Sequence, residues 1–277
     1  MRFRRSSASL WIPEGHRLTL ESGVSVSTTD QLAKGTLYST PHPEAAAPNW
    51  MAVSDGNNFY PYEYGEISKS LTLTNGKNYD IFRSLSAGAP VLTLSSAWTT
   101  DLARADAVSL LKGKYVLTSD KTFVLVGTIR ANGTNTTEGS STNRLVFNLY
   151  NPVSKPLFTA VVDVHTYNAA AFRSWNNDAT HRVTWVNGIP IFLTGFIRAT
   201  FQSDATSEPQ AGLYLDGTDS VTIATGSFKL AAVLSMSSVY PVAVAAGFHF
   251  LQTVERNIGA AGTATFNSYV AGADMIG

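Results

Sequence analysis

The residue types best suited to holding a ligand lie in YNAAAFRSWNNDATHRVTW, residues 167–185. The rings of Tyr167 and Trp175 can stack on the apolar face of a sugar, and Asn176, Asn177 and Asp178 offer donors and acceptors to its hydroxyls. Trp175 falls in a polar stretch between the apolar runs 157–165 and 181–186, where no strand alternation directs it into a core. Trp185, by contrast, stands in the alternating HRVTWV. The segment therefore has two readings: a glycan site of Tyr167, Trp175, Asn176, Asn177 and Asp178, set on a loop between two strands, where binding groups collect, or Trp175 as a packing residue in a subunit interface, where aromatics are enriched.

Other chemistries find little support. The five histidines, at 16, 42, 165, 181 and 249, lack the spacing that puts two ligands on one face, and with no cysteine a thiolate nucleophile or thiolate metal site is excluded. No G-x-S-x-G elbow occurs. The glycines of VGTIRANGTN, 126–135, precede no helix that could cradle phosphate. Asp163, Asp178, Asp204, Glu208, Asp216 and Asp219 are numerous enough for paired-carboxylate hydrolysis, but the chain has no solenoid repeat to build a long groove. The expectation is a protein without catalytic residues, metal or cofactor.

The elements that would position these groups are strands. Alternating or continuous apolar runs recur throughout, as in LTLTNGKNYDIF, KYVLTS, FVLVGTIRA, LFTAVVDVH, HRVTWV and IPIFLTGFIRATF. Asn75–Gly76 and Asn187–Gly188 read as tight hairpin turns, and Asp216–Gly217 as a third turn of this kind. Helical spacing is confined to AWTTDLARADAVSLL, where Thr99 or Thr100 would cap one short helix over about 99–111. Prolines at 41, 43 and 48, and again at 152 and 156, mark boundaries. The expected fold is all-β: an extended N-terminal arm over 1–37, a first β domain over 38–156 carrying the helix, and a second β-sandwich or jelly-roll domain over 157–277.

Charged residues are only 14% of the chain, so the many strands leave a surface poor in the charges that keep monomers apart, as in a protein that covers itself with its own copies. Twenty basic residues balance twenty acidic ones, which argues against a nucleic-acid partner. The longest apolar run, 239–254, contains Pro241 and His249 and is too short to span a bilayer as a helix.

Five blocks in order resemble phage and prophage tail-fibre and virion-appendage proteins: GTLYSTP (35–41), SLTLTNGKNYDIF (70–82), LTLSSAWTTDLARA (92–105), VGTIRANGTNTTEGSSTNRLVFNLYNPV (126–153) and GTATFNSYVAGADMIG (262–277). Within the fourth block, Arg130, Thr136, Thr137, Glu138, Arg144, Phe147, Asn148, Tyr150 and Asn151 match the family pattern. Leu149 and Pro152 depart from it. The resemblance implies a structural component of a bacteriophage virion, made in the host cytoplasm and displayed on the particle surface. It would be a homotrimeric tail or head fibre or spike with other capsid or tail proteins as partners. Arg2, Arg4, Arg5 and Trp11 would dock the arm on the particle, so a chain lacking it should still fold. The alternatives are a glycan-binding host-adhesion module and a capsid decoration protein.

Overall fold

A computed structural model describes residues 14–47, 49–204, 206–217, 222–227, 233–258 and 262–276. It is all-β: the described residues hold five sheets, no α-helix, and a single 3-10 turn at Trp175–Asn177.

The first core lies between two of the sheets. A three-stranded sheet in the order His16–Thr19, Thr36–Pro41, Ile67–Ser70 contributes Leu18, Leu37 and Ile67. A six-stranded sheet runs Ala89–Leu94, Asn78–Ser86, Val124–Arg130, Lys114–Leu117, Val108–Leu111, with Val146–Asn148 also paired to Val124–Arg130. It contributes Tyr79, Ile81, Leu92, Val126 and Ile129 to the same cluster. A hairpin of Trp50–Ser54 and Phe59–Glu63 adds a small cluster of Met51, Val53 and Tyr62.

A second core fills a sandwich. One layer is the four-stranded antiparallel sheet Ser154–Tyr167, Ala264–Ile276, Ile191–Ser203, Val233–Val244. Facing it is an eight-stranded sheet built on Arg182–Asn187, Gly247–Asn257 and Pro209–Leu215. Alternation decides which side chains point inward: Leu193, Ile197, Ala199 and Phe201 from one layer meet Val183, Trp185, Leu213 and Leu251 from the other. The eight-stranded sheet also reaches into the first half of the chain. Asn143–Arg144 pairs parallel with Thr184–Trp185, and beyond it lie Thr137–Gly139 and Gln31–Lys34. The two halves of the chain thus share one hydrogen-bonded sheet.

Three expectations need correction. The segment 99–111 is not helical. Lys112 (φ 45°) and Gly113 (φ 85°) form a tight turn that folds Val108–Leu111 back on Lys114–Leu117 as a hairpin. Upstream, Arg104 is drawn from any helical path by its ion pair with the buried Asp80, at 2.6 Å, and by stacking 4.5 Å from the centre of the Trp98 ring. Leu102 and Ala105, which with Leu111 suggested a helical stripe, are exposed.

Asn75–Gly76 and Asn187–Gly188 do turn the chain, but they join strands of different sheets. Ile67–Ser70 pairs with Thr36–Pro41, whereas Asn78–Ser86 pairs with Ala89–Leu94 and Val124–Arg130. Leu71 and Leu73, which suggested one arm of a hairpin, are buried between those layers. Likewise Arg182–Asn187 and Ile191–Ser203 belong to opposite layers of the sandwich.

The arm is also not free from Glu14 onward. His16–Thr19 pairs with Thr36–Pro41, and Asn148 clamps Leu18 by accepting from its backbone N–H at 2.5 Å and donating to its carbonyl at 3.1 Å. Residues 1–13, with Arg2, Arg4, Arg5 and Trp11, lie outside the described residues.

His16 predicts an acid response. Its ring is buried against the carbonyls of Ser39 and Tyr64. Burial, and next the charge of Arg83, hold its pKa below the ordinary 6.5, while Glu14 and the two carbonyls pull the other way. The unfolded chain takes up a proton that the native ring refuses, so this contribution to stability is full above pH 6.5 and is lost as pH falls through the folded value. Urea midpoints measured from pH 7 to 5 should fall, and His16→Gln should flatten the slope; an unchanged slope in that variant would assign the acid response elsewhere.

Candidate functional site

The loop expected to bind sugar is pulled down onto the sheet. Arg173–Ser174 pairs antiparallel with Val254 and Glu255, and the chain then turns at Trp175–Asn177. Asn176 (φ 48°) and Asn177 (φ 58°) both take the left-handed conformation that asparagine tolerates best among non-glycine residues. The turn aims Trp175 inward. The ring is 0% exposed and meets Tyr269, Phe266 and His165 edge-on, at centroid distances of 5.0, 5.4 and 5.5 Å.

Beneath this turn the fully buried carboxylate of Glu255 gathers the loop. It accepts from Arg173 at 2.8 Å and from the Asn176 backbone N–H at 3.2 Å, and pairs with His165 Nε2 at 2.6 Å. Trp175 is therefore a core residue and gives no stacking platform to a ligand. The other four expected residues remain near the surface in local roles. Asn176 and Asn177 are exposed, the Asn176 side chain donates to Asp163 at 2.7 Å, and Asp178 accepts the Thr180 N–H at 2.8 Å. Tyr167 donates to the Ala171 carbonyl and lies under the Arg173 guanidinium, 3.8 Å from the ring centre.

The acids weighed for hydrolysis hold turns too. Asp204 accepts the backbone N–H groups of Thr206, Ser207 and Thr263, and these bonds, the one from Thr263 foremost, pull its pKa down to about 2. Asp216 accepts the Phe250 N–H and contacts His249 at 2.7 Å. Asp219 lies outside the described residues. Among the described residues no group of three or more His, Asp or Glu side chains is placed to hold a metal ion, and no helix is long and apolar enough to cross a membrane.

The surface that does stand out is the outer face of the four-stranded sheet. Strand Ser154–Tyr167 turns Leu157, Val161 and His165 inward and leaves Phe158, Ala160, Val162 and Val164 outside. Val162 is 86% exposed, Val164 66% and Phe158 41%. Register places Phe158 beside Gly272 and Phe196, Ala160 beside Val270 and Arg198, and Val162 beside Ser268 and Thr200. Phe192, 82% exposed, lies further along the same face, across from Ala243.

Asp274 and Arg198 are the charged side chains on the outer positions of these three strands. Four strands about 4.8 Å apart and some 13 residues long present roughly 600–800 Å². That matches the ~800 Å² per partner of a stable protein interface and exceeds what scattered surface apolar groups provide. The signal was present in LFTAVVDVH, which is apolar at both parities. A strand buried on one face needs only one.

No family model matches this chain, and no curated protein matches it. Solved structures with some similarity include the insecticidal delta-endotoxin Cry8Ea1 of Bacillus thuringiensis, at 11% identity and TM-score 0.30, covering 95% of this chain and 51% of the toxin. Dimeric latent PorU of Porphyromonas gingivalis has 9% identity and TM-score 0.30 over 72% of this chain and 22% of its own. The VP2 subviral particle of infectious bursal disease virus has 12% identity and TM-score 0.31, over 99% and 75%. The chain thus spans about half of the toxin and about a fifth of PorU. Likenesses this weak carry no argument about function.

Proposed function

We propose that this chain is a structural component of a bacteriophage particle, a self-associating tail or head fibre or spike whose N-terminal residues dock on the virion. The observation that carries the reading is the nearly uncharged outer face of the four-stranded sheet. Its occupant is a second copy of the same chain, for two reasons. The area suits one stable interface, and closed symmetry covers the same face on every protomer. The edge strand Ser154–Tyr167 strengthens the case, because 14 residues of edge without an outward charge are an aggregation hazard unless assembly hides them. The five residue blocks that resemble phage appendage proteins supply the setting and the expected trimer. In this reading the protein is an assembly element without catalysis, and its docking residues include Arg2, Arg4, Arg5 and Trp11.

Multi-angle light scattering of the full chain at micromolar concentration should give the mass of three protomers. Val162→Asp combined with Phe192→Asp should release monomers that keep the wild-type circular dichroism spectrum, because both side chains already face outward. A wild-type chain that is monomeric at that concentration would overturn the reading.

A further inference from the structure

A half-open cavity of about 60 Å³ lies away from that face, between Arg17, Leu18 and Leu20 on one side and Arg144, Val146, Val153 and Lys155 on the other. Three of its lining residues are cations and none is an acid. The volume exceeds the 10–15 Å³ that one water needs and would admit a small polyatomic group.

The cations come from separate parts of the chain and are held in place by carbonyls. Arg17, 3% exposed, donates to the carbonyls of Ser25 and Asn151. Lys155 donates to the Ser27 carbonyl at 3.2 Å, and Arg144 Nη2 to the Pro156 carbonyl at 2.9 Å. The Nε of Arg144 is buried and has no acceptor among the described residues. A buried charged donor without an acceptor is costly, and three cations crowded at one cavity add mutual repulsion. Burial, then the charges of Arg144 and Arg17, bring Lys155 down to about 8, with Glu21 pulling the other way. A stable fold keeps such an arrangement most readily when an anion completes it.

We infer that this cavity binds a phosphate group through Arg17, Arg144 and Lys155. The unpartnered Nε of Arg144 and the Lys155 ammonium supply donors, and the Arg17 guanidinium supplies charge, to a tetrahedral oxyanion with several acceptor oxygens. The apolar side chains of Leu18, Leu20, Val146 and Val153 in the lining lower the local dielectric and so strengthen each contact. Two sources share this chemistry, the free ion and a phosphate ester at the end of a larger ligand.

The test is calorimetric titration of the full chain with inorganic phosphate and with glycerol phosphate, chloride replacing the anion at matched ionic strength. Saturable one-site binding of either is expected, and binding of the ester would identify the cavity as a handle for a larger ligand. Lys155→Gln and Arg144→Gln, with folding checked by circular dichroism, should each raise Kd on the order of tenfold. Sulfate, which does not titrate in this range, should bind more weakly as pH rises from 7 to 9, because Lys155, which faces Arg144, Arg17 and Glu21, loses its proton near pH 8. That dependence should vanish in Lys155→Gln. Absence of saturable binding, or equal binding by wild type and both folded variants, would overturn the assignment.

Discussion

A chain truncated to begin after residue 37 should fail to fold. The deletion removes Leu18, Leu20 and Leu37 from the first core, the outer strand His16–Thr19 and the first two residues of the central strand of the three-stranded sheet, and Gln31–Lys34 from the edge of the eight-stranded sheet. It also removes Glu14. The Glu14 carboxylate meets the Arg83 guanidinium through two parallel bonds of 2.6 and 2.7 Å, and the two side chains are 6% and 1% exposed. Arg83 would then be left buried, with the Ala52 carbonyl still accepting from it.

Breaking such a pair by removing one partner costs about 3–5 kcal/mol, because the surviving charge can reach neither water nor a counter-ion. Glu14→Ala alone should therefore lose that much. The full truncation adds the burial of three leucines at roughly 1.5–3 kcal/mol each, which together approaches the ~5–15 kcal/mol stability of a whole domain. Urea unfolding followed by circular dichroism would measure the point variant, and loss of the folded baseline would report the truncation. A truncated chain with a cooperative transition near the wild-type midpoint would return residues 14–37 to the role of a detachable arm.

The second large effect is expected at Trp175. Trp175→Ala should cost about 3–5 kcal/mol, the range for emptying a buried aromatic site. The cavity would open between Phe266, Tyr269 and His165, and the turn over Glu255 would lose the side chain that anchors it. For a chain of this size the melting temperature should drop by roughly 10 °C. Trp175→Phe should lose less, since a ring remains to meet Phe266. An alanine variant with wild-type melting but altered adsorption to host cells would show instead that the side chain works at the surface.

Trp175 also marks the limit of reading a strand protein locally. Nothing in RSWNNDAT has the period of a strand, so the segment resembles an exposed loop with a binding residue at its tip. What pulls it inward is a two-residue ladder to Val254 and Glu255, a partner some 80 positions away. The same distance problem governs the asparagine-glycine turns. Asn75–Gly76 and Asn187–Gly188 announce that the chain reverses, but whether the two flanking strands pair depends on which other strands compete for their edges. The tight hairpins at Ala87–Gly88 and Lys112–Gly113 lack the Asn or Asp that advertises such a turn, though their φ angles are those of one.

By itself the sequence determined the all-β class. β-branched and aromatic residues at period two leave few ways to bury one face except as sheets, and the low charge leaves a surface poor in the groups that keep monomers apart. Partners distant in the chain settled the rest: that 108–111 pairs in a hairpin where a helix was expected, that residues 14–37 belong to the body, and that Arg17, Arg144 and Lys155 meet at one cavity. The physical reason is the same in each case. A strand satisfies its backbone only through partners distant in the chain, so the sequence states that an edge must be paired while the assembled fold chooses the partner.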